Sequence, residues 1–455
     1  MKFTEEMLRS CRNLHFVGVG GSGMFPIVQI LLTQGYTITG SDNNPGETID
    51  QERGMGVSVT IGHDAANVAD ADAVVYSAAI MQDNVELVEA RRRGIPTIER
   101  SEMLGLLTRR YPNCVCISGT HGKTTTTSMT TLIFLAAGMD PSAVIGGKLS
   151  AIGGSGRAGS SDTMVVEACE YSDTFLHLAP DISVILNIDN DHLEYFKTME
   201  NMRASFRRFA EMTTHTVISN GDDENTRRAL AGLEGPKAVT YGMGAHNDYR
   251  PERIAWKDGA HASFDLMRRN ESLGTLELFV PGKHNVLNAV AAAAAALESG
   301  APFEAVREGL ASFHGVHRRL EILGEVNGVT IADDYAHHPA ELEATLKTCR
   351  ELGYRKVWAV FQPFTFSRTA LLLDEFARVL PIADRVVLSA IMGGREINTY
   401  GITTQALADR IPGSVWFETF PEIADYVLAN AEPGDLVITL GCGDVYKCAN
   451  LMLGR

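Results

Sequence analysis

The sequence predicts an α/β chain built on parallel sheets and divided into three domains. Short Val/Ile-rich runs alternate with amphipathic stretches, which is the pattern of βαβ units, and these strand-rich runs fall into three blocks. Size points the same way: 455 residues, 45% apolar and 21% charged, are too many for one hydrophobic core and ordinary for several.

The first block runs through HFVGVG, PIVQILLTQG, YTITGSD and DAVVYSAAI, and the helical segment RSEMLGLLTRRYPN (100–113) links it to the second. The second opens at NCVCISG and includes TMVVEA and ISVILNI; the third holds RKVWAVFQ, RVVLSAI and DLVITLG. SFHGVHRRLEILGEVNG (312–328) reads as the turn between them, so the expected domains are 1–107, 108–315 and 316–455. GGSGRAGSSD (153–162) reads as a mobile Gly/Ser-rich loop, and no internal repeat is visible.

Composition excludes several function classes. A formal charge of -16 repels bulk nucleic acid and anionic membranes, so any phosphate must be held by local loops. The seven cysteines lack paired CxxC spacing and read as reduced thiols rather than a zinc site. AVAAAAAAL is too short to span a bilayer, and the first residues carry no apolar leader core. The expectation is a cytoplasmic protein acting on small molecules, without nucleic acid or membrane insertion, as a monomer or homodimer.

The segment CISGTHGKTTTTSM (116–129) carries the first chemistry. Gly119 and Gly122 are closer together than in the usual phosphate loop, yet the physics survives: a strand runs into glycines that turn backbone N–H groups toward an anion, and a helix N-terminus follows. Lys123 would reach the β and γ phosphates of ATP, and the Thr124 hydroxyl would sit on Mg²⁺. Near the N-terminus, HFVGVGGSGM sets Gly18, Gly20 and Gly23 in a GxGxxG pattern between a strand and a helix, with Asp42 ending the next strand. That loop suits a nicotinamide dinucleotide, but equally the diphosphate of a UDP-linked substrate, since backbone amides recognise diphosphate and not the ring. VVEACEYS and NIDNDHLEYF then place Glu167, Glu170, Asn187, Asp191 and His192 at strand ends, where such sheets bind ligands. Oxygen ligands suit Mg²⁺; a histidine ligand is less usual.

GTHGKTTT, EACEYS, NIDNDHL, PGKHNVLNAVAA, HRRLE and DDYAHHPAE occur in the order and spacing of the ATP-dependent Mur ligases of bacterial cell-wall synthesis, which the chain resembles over nearly its whole length. The resemblance implies a Rossmann-like N-terminal domain for a UDP substrate, a central P-loop ATPase-type domain, and a C-terminal Rossmann-like α/β domain meeting amino acid and nucleotide. HFVGVGGSGM and DDYAHHP point within the family to addition of L-alanine to the carboxylate of UDP-N-acetylmuramate through an acyl phosphate. On this reading Gly119, Thr120, Gly122, Lys123, Thr124 and Thr125 hold ATP, and Thr124, Glu170 and His192 hold Mg²⁺. His284, Asn285 and Asn288 lie near the adenine, Arg319 or its neighbour Arg318 approaches the phosphates, and Asp334 contacts ribose. Gly18, Gly20, Gly21, Ser22, Gly23 and Met24, with Asp42 and Ser77, hold the UDP substrate. Tyr335, His337 and His338 face the substrates, His338 among the catalytic groups, and Arg368 grips the acceptor carboxylate.

Two departures from the family pattern stand out. Phe364 and Thr365 replace a usual histidine and a frequent arginine near the acceptor, and Phe25 and Pro26 add bulk beside the expected diphosphate site. The alternatives are therefore a related ligase using glycine, L-serine or a recycled peptide, and, in another class, a nicotinamide-dependent oxidoreductase built on GVGGSG.

Overall fold

The computed structural model describes residues 3–257, 261–394 and 396–455, apart from the side chains of residues 193 and 194. The chain forms two compact units: one of residues 1–253, 264–276 and 287–313, the other of 254–263, 277–286 and 314–455.

In the first unit, β1 (Asn13–Val17), β2 (Thr37–Asp42), β3 (Ser58–Ile61), β4 (Ala73–Tyr76) and β5 (Thr97–Glu99) make a parallel sheet ordered β3-β2-β1-β4-β5. The order reverses at β1, so the crevice beyond its C-terminal end, where the first glycine loop begins, is the topological switch point. A second sheet of ten strands follows: β6 (Asn113–Ser118), β7 (Ser142–Leu149), β8 (Gly154–Arg157), β9 (Thr163–Glu167), β10 (Ile182–Ile185), β11 (Thr216–Asn220), β12 (Lys237–Tyr241), β13 (Tyr249–Lys257), β14 (His261–Arg268) and β15 (Glu271–Leu278). At its centre β10-β6-β9 are parallel, and the phosphate-type loop leaves the C-terminal end of β6.

The helix Lys123–Ala136 forms despite a threonine-rich sequence of modest helix propensity. Its buried hydroxyls bond back one turn, Thr127 to the Lys123 carbonyl, Ser128 to Thr124, Thr130 to Thr126 and Thr131 to Thr127, each at 2.8 Å. One apolar cluster joins the two sheets of this unit, from Phe16 and Met24 through Leu106 and Cys116 to Phe175 and Phe206. Phe175 stacks on Phe209 with ring centroids 4.7 Å apart.

GGSGRAGSSD is not simply a loop. Residues 154–157 form β8, which hairpins with β7 and packs on the helix Phe25–Thr33. The bulk of Phe25 and Pro26 faces this hairpin: Phe25 is buried, and a Cβ on Gly156 would lie 2.5 Å from Pro26 Cβ. Small residues in the hairpin thus match large ones at the helix start, and Ser155 Oγ donates to the Ser22 carbonyl at 3.3 Å. The departure at Phe25 and Pro26 is a packing exchange, directed away from the glycine loop.

In the second unit, β16 (Glu321–Val326), β17 (Val329–Asp334), β18 (Val357–Phe361), β19 (Arg385–Ser389), β20 (Val415–Phe417) and β21 (Leu436–Leu440) form a sheet ordered β16-β17-β21-β18-β19-β20. β18 and β21 are buried along their full length, with separate apolar clusters on the two faces, as a parallel sheet covered on both sides requires.

Candidate active site

The first glycine loop is held from behind by β2. Gly18 and Val19 donate their N–H groups to the Ser41 carbonyl at 2.8 and 3.1 Å, and Gly20 donates to Asp42 Oδ2 at 3.1 Å. Gly21 donates back to Gly18, and Met24 and Phe25 to Gly21, which winds the loop into the following helix. Ser77 lies across Gly18, its own N–H donating to the Val17 carbonyl. Ser22 is exposed. Met24 is 1% exposed and buried in the core, so its side chain cannot meet a ligand as expected; the helix entry needs an apolar anchor there. A group that sequence reading missed completes this loop: a Cβ on Gly23 would lie 3.3 Å from Arg100 Nη1. Arg100 begins the linking helix Arg100–Thr108, and only the fold brings it to the loop.

At the second loop Gly122 caps the helix in the left-handed region, with φ of 85°, and a Cβ there would sit 2.6 Å from Asn288 Oδ1. Asn288, 8% exposed, thus stands against the phosphate-type turn. Asn187 clamps the same turn through both its amide atoms, accepting from His121 N–H at 2.8 Å and donating to the His121 carbonyl at 3.0 Å. Thr120 and Asp189 add a second brace, the Asp189 N–H donating to Thr120 Oγ1 at 2.9 Å.

Lys123 folds over its own loop. Its Nζ donates to the Gly119 and Thr120 carbonyls at 2.5 and 3.1 Å and pairs with Glu170 at 2.9 Å. Burial alone would depress the ammonium, but Glu170, with Cys169 and Glu167, holds it above the usual lysine range. Lys123 therefore stays a cation at any physiological pH.

The two carboxylates divide the work differently from the expectation. Thr124 Oγ1 donates to Glu167 Oε1 at 2.9 Å, and Gly146 N–H fixes the other oxygen, Oε2, at 2.7 Å. Glu170, 1% exposed, faces Lys123 instead. The reason is register: Glu167 ends β9 opposite Ile117, beside the start of the loop, whereas Glu170 lies beyond the strand. The sequence already places Glu167 among the strand-end acids, and its position as the last residue of TMVVE is what sets it against Thr124. Thr124, Glu167 and Glu170 supply the hydroxyl and carboxylate oxygens that suit a hard divalent cation. His192 has φ of 58° and lies with its ring 4.8 Å from that of Tyr171 and Nε2 3.7 Å from Asp191 Oδ2. Among the described residues no group of three or more His, Cys, Asp or Glu side chains gathers as a metal cluster. Thr125 is half-buried on the first helical turn.

The second unit holds the remaining candidates. His284 and Asn285 open the helix Lys283–Glu298, His284 on its exposed first turn and Asn285 half-buried. Arg318 and Arg319, equivalent in the sequence, are separated by their surroundings. Arg318 donates to Asp333 at 2.7 Å and to the Gly441 and Gly443 carbonyls at 2.6 and 3.0 Å, which commits it to holding the sheet end. Both guanidinium groups lie over the Tyr335 ring, Arg318 5.1 Å and Arg319 5.2 Å from its centroid, so what sets Arg318 apart is its three bonds to the sheet end.

Asp334 accepts from the Leu320 and Ala336 N–H groups, each at 2.7 Å, so its carboxylate shapes the turns around Arg319 and Tyr335. Burial, opposed by Arg319, pushes it up to about 6. His338, 6% exposed, caps the helix Pro339–Glu351 through Nδ1, which accepts from Ala340 N–H, because HHP places it where the helix needs an acceptor. His337 Nδ1 lies 3.1 Å from the Tyr335 carbonyl. Thr365 is a cap as well, accepting from the Arg368 N–H at 3.3 Å, so that residue orients the Arg368 helix.

Fold and sites define a nucleotide-using α/β enzyme in which a strand-to-helix phosphate loop carries a lysine and paired carboxylates. The chain belongs to the Mur ligase family. Family models match residues 13–112 ("Mur ligase family, catalytic domain"), 117–296 ("Mur ligase middle domain") and 318–443 ("Mur ligase, glutamate ligase domain"). It is 41% identical to the UDP-N-acetylmuramate--L-alanine ligase of Acetivibrio thermocellus, covering 97% of this chain and 96% of that one. It is also 41% identical to the enzyme of the same name from Caldanaerobacter subterraneus, covering 98% of each. The crystal structure of the UDP-N-acetylmuramate-alanine ligase of Thermotoga maritima matches with TM-score 0.82 and 27% identity, covering 97% of this chain and 98% of that chain. The nicotinamide oxidoreductase reading finds no support in any of these.

Proposed function

We infer that this chain forms the amide bond between the carboxylate of UDP-N-acetylmuramate and L-alanine at the expense of ATP, in peptidoglycan precursor synthesis. The observation that carries it is full-length identity of 41% to ligases of that name. The proposed division of labour gives residues 1–107 the UDP substrate, 108–315 the ATP and 316–455 the amino acid.

A carboxylate is a poor electrophile. Transfer of the γ-phosphoryl group activates it, the amine of alanine then attacks the acyl phosphate, and phosphate leaves. Two anions must meet in the first step, and Lys123 is the cation this chain sets against their repulsion. Asn187 and Asn288 hold the loop in shape, and orientation of this kind lowers the barrier without touching the reacting atoms. Thr124, Glu167 and Glu170 would hold Mg²⁺, which offsets charge on the phosphoryl oxygens. Arg319, over Tyr335, is the arginine we assign to the phosphates, and Arg368 to the alanine carboxylate. No protein nucleophile is required.

Among the described residues no helix is long and apolar enough to cross a membrane. A cytoplasmic monomer or homodimer fits the composition and the small-molecule substrates. The test is phosphate release with ATP, Mg²⁺ and UDP-N-acetylmuramate, scanning L-alanine, glycine, L-serine and a cell-wall tripeptide. Release that depends on L-alanine is expected; release with the tripeptide alone would replace this reading by a peptide-recycling one.

A further inference from the structure

A buried carboxyl without a partner lies beneath the first glycine loop. The helix Glu47–Gly54 turns Ile49 and, three residues on, Glu52 toward the sheet, at positions where a packed helix carries apolar residues. Ile49 is the floor of the loop: a Cβ on Gly20 would lie 3.0 Å from Ile49 Cγ1 and 3.1 Å from Asp42 Oδ2. Glu52 is 0% exposed, and neither carboxyl oxygen has a hydrogen-bond partner among the described residues.

Among the described residues no positive side chain pairs with Glu52. The helix packs on β3 and on the helix Phe25–Thr33, and their sequences, SVTI and FPIVQILLT, hold no titratable group. On β2 the charged group acting on Glu52 is Asp42, of the same sign. The charged residues of its own helix are solvent-exposed, Glu47 paired with Lys148 and Asp50 with Arg53.

We propose that Glu52 is a positioning residue for the nucleotide-sugar site, holding the helix Glu47–Gly54 beneath the loop Gly18–Gly23 only while its carboxyl is protonated. The inference rests on the reading of that loop as the UDP-substrate cradle. Burial, and then the negative field of Asp42, push the Glu52 carboxyl up to about 8. Losing the proton leaves a buried charge that no hydrogen bond stabilises and that the negative field of Asp42 opposes. The relief open to the fold is to move the helix outward, which takes Ile49 from Gly20 and loosens the Asp42 grip on the Gly20 N–H. Affinity for the nucleotide sugar then falls as pH rises through this range, while Lys123 keeps its charge.

The experiment is calorimetric binding of UDP-N-acetylmuramate to the full chain from pH 6.5 to 9.5, for the wild type, Glu52→Gln and Glu52→Leu, with kcat measured in parallel. The wild type is expected to lose about tenfold in affinity between pH 7 and 9, with kcat at saturation unchanged. Glu52→Gln should flatten that profile, and ionisation of the uracil ring cancels because both proteins bind the same ligand. In buffers of different ionisation heat, binding near pH 8 should take up protons in the wild type alone. An unchanged profile in Glu52→Gln, or a wild type with neither pH dependence nor proton uptake, overturns the proposal. Should Glu52→Gln fail to fold, Glu52→Leu and the wild-type proton uptake decide. Gly20→Val separates the underlying reading: if it binds the nucleotide sugar as tightly as wild type at pH 7, the loop is not the cradle, whatever Glu52 does.

Discussion

The two glycine loops of the first unit start from the same physics and end with different chemistry. Each follows a buried parallel strand, turns through glycines and enters a helix whose N-terminus favours an anion. Behind the first loop stands Asp42, which pins Gly20, with Ile49 as an apolar floor and Arg100 at the edge. Behind the second stands the neutral Asn187, which pins His121 through both amide atoms, with Lys123 inside the turn and Glu167 and Glu170 beside it. The first arrangement can grip a diphosphate that remains unchanged. The second adds a cation that stays charged and carboxylates able to hold a metal, as moving a phosphoryl group requires. The machinery around a loop, more than its glycine pattern, tells binding from catalysis.

The sharpest break of this comparison is Lys123→Ala. It removes the charge from the catalytic loop only, so turnover should fall by about a thousandfold or more while binding of UDP-N-acetylmuramate is kept. Phosphate release and calorimetric binding on one preparation check both halves; loss of nucleotide-sugar binding would mean that the loops are not independent.

Next in size is the Thr124–Glu167–Gly146 contact. Glu167→Gln should lower turnover by about 10- to 100-fold and raise the Mg²⁺ concentration needed for half activity. Gly146→Ala tests the same point without altering the carboxylate: its Cβ would lie 2.4 Å from Glu167 Oε1, so the side chain must leave its place. If Glu170→Gln shifted the Mg²⁺ requirement and Glu167→Gln did not, the original assignment to Glu170 would be restored.

What the sequence could reveal follows from how local each feature is. Strand-turn-helix order, both glycine loops and Lys123 are written within a few neighbouring residues, and the parallel sheets follow from the alternation of such units. Glu167 and Glu170 are three residues apart in one motif, and only the β6–β9 register decides which meets Thr124. Arg100 reaches Gly23 from a linker helix that carries no motif. Met24 looked chemical because it lies inside a motif, but its side chain is core, and His338 spends its Nδ1 on a helix cap that its motif does not reveal. The buried helical carboxyls Glu52 and Glu86 were illegible altogether, since a glutamate in an amphipathic helix reads as surface.

Arg100 sharpens the first side of the comparison. Its guanidinium is the cation beside that loop, so Arg100→Ala should raise KM for UDP-N-acetylmuramate about tenfold, leaving kcat and KM for ATP unchanged. A change in the ATP constant would assign Arg100 to the stability of the unit, since the linking helix also contributes Met103 and Leu107 to the shared core.

The smallest effect on turnover is expected from Glu86, which lies behind the same loop and is the counterpart of Glu52. It is equally buried, yet it accepts from Ser41 Oγ at 2.6 Å, Asn67 Nδ2 at 2.5 Å and the Asp64 N–H at 3.4 Å, and lies 3.1 Å from His63 Nδ1 and 3.8 Å from His15 Nε2. Burial would raise its pKa, but the nearby His15 ring and the Ser41 and Asn67 donors outweigh it and hold Glu86 down to about 2. A carboxylate depressed in the folded state adds stability that is present above its unfolded value, near 4.5, and is lost as pH falls toward 2. Glu86→Gln should therefore cost about 3 kcal/mol at neutral pH with little change in kcat, and the gap to wild type should close in acid. Chemical denaturation at pH 7 and pH 3 reads this directly. Glu52→Leu in the same assay should move the other way, gaining stability at pH 7, because an acid raised in the folded state loses stability as pH climbs from 4.5 to about 8. If both variants shifted in the same direction, hydrogen bonding would not be what separates these two carboxyls.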